Sequence, residues 1–172
     1  MIAAIESTSI DGVLILKNKT LTDSRGSFTK HLNISKELIP GITWKDQFHT
    51  ISRKNVFRGF HYQKNEPSSY KLINFLHGQC TDYLVDIRPD SPTYGNVLTI
   101  DISAEMRLSI LVPPSVAHAL LSKADNLITF YQIGCEYRLE NDVGFSHRSI
   151  NLNLPPNVII SDKDEGLPVI SL

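Results

Sequence analysis

Short apolar runs broken by turn residues recur along the chain and set the elements to expect. "VLILKN" (13–18) predicts a strand, and "SRGSF" (24–28) a turn entering the next one. "KLINFLHGQCTDYLVDIR" (71–88) reads as two strands joined around His77-Gly78-Gln79, and "DSPTYG" (90–95) as a turn. In "NVLTIDIS" (96–103), Leu98, Ile100 and Ile102 alternate with Thr99, Asp101 and Ser103, the period of a strand with one buried face. "RLSILVPP" (107–114) is a further strand stopped by Pro113-Pro114, "LITFYQIG" (127–134) is another, and "INLNLPP" (150–156) alternates again. Helical periodicity is weak. One short helix is expected at "NISKELIP" (33–40), capped by Asn33 and ended by Pro40, and one helical turn at "SDKDEGLP" (161–168), capped by Ser161 or Asp162. Short strands at a spacing of roughly ten residues predict an all-β fold, a double-sheet jelly roll with a few short helices. No repeat, low-complexity tract or linker divides the chain, so residues 1–172 are expected to form one domain.

Composition narrows the function classes. With 41% hydrophobic and 20% charged residues the chain has ordinary globular usage. A formal net charge of −1 gives no broad pull toward nucleic acid or anionic lipid, so neither is expected as a partner and an anionic ligand must be held by local arginines and lysines. The start, "MIAAIESTSIDGVLILKNK", has no basic segment ahead of an apolar run, and runs such as "ILV" (110–112) are too short to span a bilayer. A cytoplasmic location is the expectation. Cys80 and Cys135 form neither a disulfide framework nor a zinc ribbon and read as small buried hydrophobes.

"RGFHYQ" (58–63) carries the chemical question, because His61 there reads as a metal ligand, a proton-transfer base or a core residue. The histidines are His31, His49, His61, His77, His118 and His147; none forms H-x-H or H-E-x-x-H, so the metal reading is weak. A histidine base suits neutral pH but needs an orienting carboxylate and a group that stabilises the charge it creates. Asp164, Lys71 and Tyr131 are the candidates. Lys71 opens a mostly apolar strand, an expensive place for an unpaired charge, and Tyr131 lies in another apolar strand, where a buried hydroxyl wants a partner. Taken singly, each is read first in its plainer role, as a snorkelling lysine, a core tyrosine or a capping aspartate.

The surrounding motifs resemble those of the dTDP-4-dehydrorhamnose 3,5-epimerase family. "NVFRGFHYQ" (55–63) is similar to V-L-R-G-L-H-Y-Q, and "DSRGSF" (23–28) to D-x-R-G-x-F. "YKLINFLHGQCTDYLVDIRPDSPTYG" (70–95), "ISAEMRLSILVPPSVAHALL" (102–121) and "ISDKDEGLP" (160–168) resemble further family signatures in the family's order. The resemblance implies a cupin-like jelly roll, a homodimer, no metal and no cofactor. The substrate class it implies is a nucleotide diphospho-4-keto-6-deoxy sugar. It assigns the base to His61, its dyad acid to Asp164, the enolate-stabilising cation to Lys71 and the proton donor to Tyr131. Arg58 and Arg25 match arginines on the nucleotide side, and His118 a pocket histidine. Gln63 and Phe28 fall in the matching stretches, Tyr137 is kept in a stretch that otherwise departs from the family, and all three are expected at the substrate.

Strict strand alternation would point Arg58 and His61 to opposite faces, since they are three residues apart. For both to serve one pocket the strand must break between them, and Gly59 is the expected place.

The chain also departs from the family pattern. "DQFHTIS" (46–52) puts Asp46 and Phe48 where Q-x-N-x-S is usual, and Lys30 stands in place of a glutamate. "CEYRLEND" (135–142) keeps Tyr137 but has Glu136 beside it, and "GFSHRSI" (144–150) has His147 in the place of a tryptophan. These changes flank the implied pocket. The four positions implied to carry the chemistry are retained.

Overall fold

The structure, a computed structural model, describes residues 2–31, 42–67 and 69–172. The helix expected over 33–40 lies outside the described residues. In chain order the strands are β1 (Ile2–Ser7), β2 (Leu14–Asn18), β3 (Thr20–Asp23), β4 (Gly26–Thr29), β5 (Asp46–Ser52), β6 (Phe57–Gln63) and β7 (Lys71–His77). They continue with β8 (Gln79–Asp86), β9 (Val97–Ser103), β10 (Leu108–Val112), β11 (Val116–Ser122), β12 (Leu127–Ile133) and β13 (Asp142–Gly144). Short 3-10 turns and one helical turn, α1 (Asp162–Glu165), complete the described elements. No helix among the described residues is long and apolar enough to cross a membrane.

Two antiparallel sheets face each other in the manner of a jelly roll. One has the order β1-β2-β10-β7-β12-β5, the other β13-β6-β11-β8-β9, and β3 and β4 form a separate hairpin. Between the sheets lies a core of Ile73, Phe75, Leu84, Ile110, Leu120, Leu127 and Tyr131, with Leu98, Ile100 and Ile102 of β9 turned toward it. That is the inward row the alternation in 96–103 predicts.

The outer faces are also covered, which limits how far the alternation of sequence can be read. On the five-stranded sheet, Tyr83, Val85, Ala117, Ala119 and Leu121 pack against Phe145 and the C-terminal residues Ile150, Leu152, Leu154, Val158, Ile160 and Ile170. On the six-stranded sheet, Leu16, Leu72 and Leu111 meet Trp44 and Tyr70. The expected strand over 150–156 is therefore corrected. Its alternate apolar residues do point inward, but the segment runs over the sheet as a covering strap, with Leu152 and Leu154 donating their N–H groups to local carbonyls at 150 and 152. Period-two burial arises wherever an extended segment lies on an apolar surface, whether or not it joins a ladder.

The β6–β11 pairing breaks where Gly59 predicts. His118 pairs with His61 and Leu120 with Arg58, so β6 carries one extra residue between them. Gly59 has φ of +120°, and a Cβ there would lie 2.6 Å from the His118 carbonyl oxygen and 2.8 Å from Ala119 Cα. The bulge and the close approach of β11 both require glycine at this position.

Candidate active site

At one end of the space between the sheets the apolar core gives way to a cavity lined by both polar and apolar side chains. The six-stranded sheet contributes Phe48 and Thr50 from β5, Lys71 from β7 and Tyr131 and Ile133 from β12. The opposing sheet contributes Arg58, His61 and Gln63 from β6, His118 and Leu120 from β11, and Asp142 from β13. Lys71 lies one step before the inward-facing Ile73 and Phe75 in the period-two row of β7, so the same alternation that buries those side chains carries the lysine to the cavity. The bulge at Gly59 brings Arg58 and His61 to the same cavity despite their odd spacing.

His61 and Asp164 form a close pair. His61 Nε2 lies 2.9 Å from Asp164 Oδ1, and the Gly59 N–H donates to Asp164 Oδ2 at 3.1 Å. Asp164 sits in α1, whose first turn is capped by the Ser161 hydroxyl accepting from the Asp164 N–H. Burial by itself would raise the Asp164 carboxyl. The hydrogen bonds from His61 and Gly59 outweigh it and hold the group below the usual carboxylate range. An ionised carboxylate only accepts, so Nε2 carries the ring proton in the neutral histidine and the lone pair resides on Nδ1. Nδ1 is itself buried and has no hydrogen-bond partner among the described residues. The pair is therefore an oriented imidazole with one basic nitrogen uncommitted.

Burial shapes the other two candidate chemical groups. It pushes the Lys71 ammonium below the usual lysine range, against the opposing pull of the Asp142, Asp82 and Cys135 charges. It raises the Tyr131 phenol well above the usual range, while the hydroxyls of Thr129 and Thr50 pull the other way. Tyr131 is thus a phenol that keeps its proton over a wide pH range, as a proton donor must.

His118, expected in the pocket, lines it and is itself paired: its Nε2 lies 2.6 Å from Asp82 Oδ1, with Asp82 fully buried. Among the described residues the second oxygen of Asp82 has no partner, nor has Gln63 Oε1, so two buried acceptors at this end of the molecule lack a donor there. Tyr137 stands at the cavity and donates its O–H to Asp142 Oδ2 at 3.1 Å, and Lys163 Nζ meets the same oxygen at 2.7 Å. Asp82, Asp142 and Lys163 do not stand out in the sequence. Asp82 shares with Asp86 the row of β8 that carries Cys80 and Leu84 into the core, and an acid in that row is the signal it offers; Asp142 and Lys163 give no such signal.

Two expected residues lie elsewhere. Arg25 and Phe28 are not among the cavity residues; they belong to the β3–β4 hairpin, around a shallow depression lined by Leu21, Asp23, Arg25 and Phe28. Arg25 pairs with Asp23 at 2.6 Å, and Phe28 and Leu21 are largely exposed. The hairpin residues pair only with each other in their sheet, so among the described residues of one copy no strand pairing turns Phe28 inward. Cys80 and Cys135 are free and buried, as small hydrophobes are. Among the described residues no group of three or more His, Cys, Asp or Glu side chains is arranged to hold a metal ion.

A jelly roll with a His–Asp pair, a partly buried lysine and a buried tyrosine on one cavity defines a class of protein equipped with acid–base groups around a small-molecule site. The comparisons name the family. The profile of the dTDP-4-dehydrorhamnose 3,5-epimerase family matches residues 7–171. The chain is 34% identical to dTDP-4-dehydrorhamnose 3,5-epimerase of Escherichia coli over 93% of its own length and 90% of that protein. Among solved structures it is similar to dTDP-4-dehydrorhamnose 3,5-epimerase of Bacillus anthracis, solved with TDP and pyrophosphate bound. That match has a TM-score of 0.87 and 29% identity and covers 97% of this chain and 99% of that one. It is also similar to dTDP-6-deoxy-D-glucose-3,5-epimerase of Legionella pneumophila in complex with dTDP-4-keto-L-rhamnose, with a TM-score of 0.89 and 27% identity over 96% and 92% of the two chains. The chain belongs to the dTDP-4-dehydrorhamnose 3,5-epimerase family, a family of isomerases with a cupin-like jelly roll.

Proposed function

We propose that this chain is a nucleotide-sugar epimerase that inverts C3, C5 or both in a dTDP-linked 4-keto-6-deoxy sugar. The observation that carries this reading is that His61, oriented by Asp164 of α1, lies on one sheet and faces the same cavity as Tyr131 on the other. Inversion needs a base on one face of the carbon and an acid on the other, and opposed sheets supply opposed faces.

His61 removes the proton next to the C4 ketone, and the electrons move onto the ketone oxygen to give an enolate. Lys71 stabilises that oxygen's negative charge in a site shielded from water. A lysine already destabilised by burial gains most when an anion forms beside it. Tyr131 returns a proton to the carbon from the opposite face and leaves the centre inverted. The substrate's own ketone is the electron sink, so the reaction requires neither metal nor cofactor.

The diphosphate is assigned to Arg58, whose guanidinium donates to Ser52 Oγ at 3.0 Å and to the Ile51 carbonyl at 3.4 Å and has its other N–H groups to present to paired phosphate oxygens. His118, Gln63 and Tyr137 hold the sugar and the cavity mouth, and the unpartnered Gln63 Oε1 suits a sugar hydroxyl. Arg25 and Phe28 act at the substrate only if a second copy of the chain brings them there. A homodimer, in which the hairpin of one copy reaches the cavity of the other, accommodates their exposure. The family and its ligand-bound members favour dTDP as the nucleotide.

The reaction is tested by incubating the protein with dTDP-, GDP- and CDP-linked 4-keto-6-deoxyhexoses in deuterated water and locating the label by NMR. Deuterium at C3, C5 or both of the dTDP sugar, with inversion, is the expected result. Absence of label from every substrate overturns the reading, and label only in a GDP or CDP sugar overturns the nucleotide assignment.

A further inference from the structure

Phe48 is an anomaly on the cavity wall. It is a large aromatic with 40% of its surface exposed, on an edge strand, on the wall of a cavity that also presents Arg58, His61, Lys71 and Asp142. Its ring is stacked on that of Tyr131, with centroids 4.9 Å apart and planes at 21°. The two residues are direct cross-strand partners, Phe48 on β5 opposite Tyr131 on β12. Tyr131 meets the His118 ring edge-on, at 6.1 Å and 64°. Two residues along β5, Thr50 is hydrogen-bonded to Thr129 at 2.7 Å, which ties the strand pair together beside the phenol.

We propose that Phe48 is a positioning residue for Tyr131: its ring clamps the phenol against the cavity wall and thereby sets how often the intermediate is protonated with inversion rather than with return. The inference rests on the epimerase reading and deepens it. The enolate has two fates. It is reprotonated by His61 on the face it came from, or by Tyr131 on the other. Only the second inverts the centre. Both fates allow exchange of the substrate hydrogen with solvent, provided that the proton on His61 is replaced before it is returned. The ratio of inversion to exchange therefore reads the competence of Tyr131 separately from that of His61.

The physical basis is geometric. A tyrosine ring on a cavity wall turns about two torsions, and a stacked partner on its open face removes that freedom. Phe48 also keeps water from that face, which supports the burial that keeps the phenol protonated. The exposure of Phe48 is then a consequence of its role: to cover Tyr131 it must stand at the cavity's rim rather than in the core.

Three variants test this, F48L, F48Y and F48W. Leucine keeps an apolar side chain but removes the plate; tyrosine and tryptophan keep the plate. Because Phe48 is a partly exposed edge-strand residue, all three are expected to fold, with circular dichroism as the check. With the dTDP-4-keto sugar in deuterated water, F48L should retain exchange and an unchanged KM. Its inversion rate should fall about ten- to a hundredfold, the cost of misplacing a reacting group by roughly an ångström. F48Y and F48W should restore the ratio. A parallel measurement needs no substrate. Phenolate absorbance of the protein minus that of Y131F isolates the Tyr131 titration, and the same difference for F48L against F48L/Y131F should show it moved toward the ordinary tyrosine value of about 10. An unchanged ratio in F48L, equal losses of exchange and inversion, failure of F48Y and F48W to restore the ratio, or an unmoved Tyr131 titration each overturns the proposal. If the wild-type protein exchanges nothing, the epimerase reading fails, and the titration still decides whether Phe48 holds Tyr131.

Discussion

His61 Nε2 and Asp164 Oδ1 lie 2.9 Å apart, although 103 residues of chain separate them. The same carboxylate accepts from the Gly59 N–H, so the bulge that turns β6 and the acid that orients its histidine are joined through one side chain. D164N tests this link. An asparagine amide can donate to Nε2, which moves the ring proton to Nδ1 and removes the lone pair a base needs there. The exchange rate is expected to fall about 10²–10⁴-fold with little change in KM. The stability effect has a definite sign. Asp164 has a lowered value in the folded state, so its contribution is present above the unfolded carboxyl value of about 3.9 and is lost as pH falls through the lower folded value. Melting curves should show the gap between wild type and D164N wide at pH 6 and closing toward about pH 2.

K71M should separate stability from activity. Burial disfavours the Lys71 ammonium, so the folded protein carries that charge at a cost at neutral pH. The unfolded chain binds the proton more tightly, and wild-type stability therefore rises as pH climbs from the folded value toward the ordinary lysine value of about 10.4. Methionine removes both the cost and the slope. The variant is expected to melt about 2–4 °C higher at pH 7 and to lose exchange by about a hundredfold or more, since the enolate oxygen loses its cation. A lower melting temperature would mean that Lys71 is well paired in the fold.

Y131F should leave the proton-removal half of the reaction running. Deuterium wash-in is expected within about threefold of wild type, with inversion reduced about a hundredfold or more, the size of a general-acid contribution. NMR of recovered substrate distinguishes label with retention from label with inversion. Equal losses of the two would place Tyr131 in ground-state structure rather than proton return.

G59A tests the bulge. The added methyl meets the His118 carbonyl and the Ala119 backbone at distances that side-chain motion cannot relieve, and alanine disfavours a φ of +120°. A loss of about 3 kcal/mol or more is expected from strain and overpacking together. Calorimetry should show it as a fall of about 6 °C or more in Tm.

Much of the jelly roll is legible in the chain because exposed strands show their inward and outward faces by alternation. Leu98, Ile100 and Ile102 do so in β9, and Pro113-Pro114 marks the end of β10. The pattern is silent where both faces are covered. β11 is buried at every position from Val116 to Ser122, packed between the central core and the C-terminal strap, so it has no polar face to mark its period. β5 fails for the opposite reason: as an edge strand it is mostly exposed, and its polar run resembles a loop. The strap at 150–156 shows the converse error, an alternation that packs without pairing.

The residue types that the proposed chemistry needs, and the expectation that the strand breaks at Gly59, were determined by the sequence by itself. A positive-φ bulge has one residue suited to it, and a motif around a histidine is local information. Tertiary structure alone decided which distant groups meet. Asp82 reaches His118 across the β8–β11 pairing from 36 residues away, a meeting that no nearby spacing encodes. It also decided that Phe48 lies on Tyr131, since cross-strand register across 83 residues follows from how β5 and β12 align, not from either segment alone. Arg25 and Phe28 mark the same boundary: their residue types suit a nucleotide, but the hairpin that carries them stands clear of the cavity in a single copy of the fold.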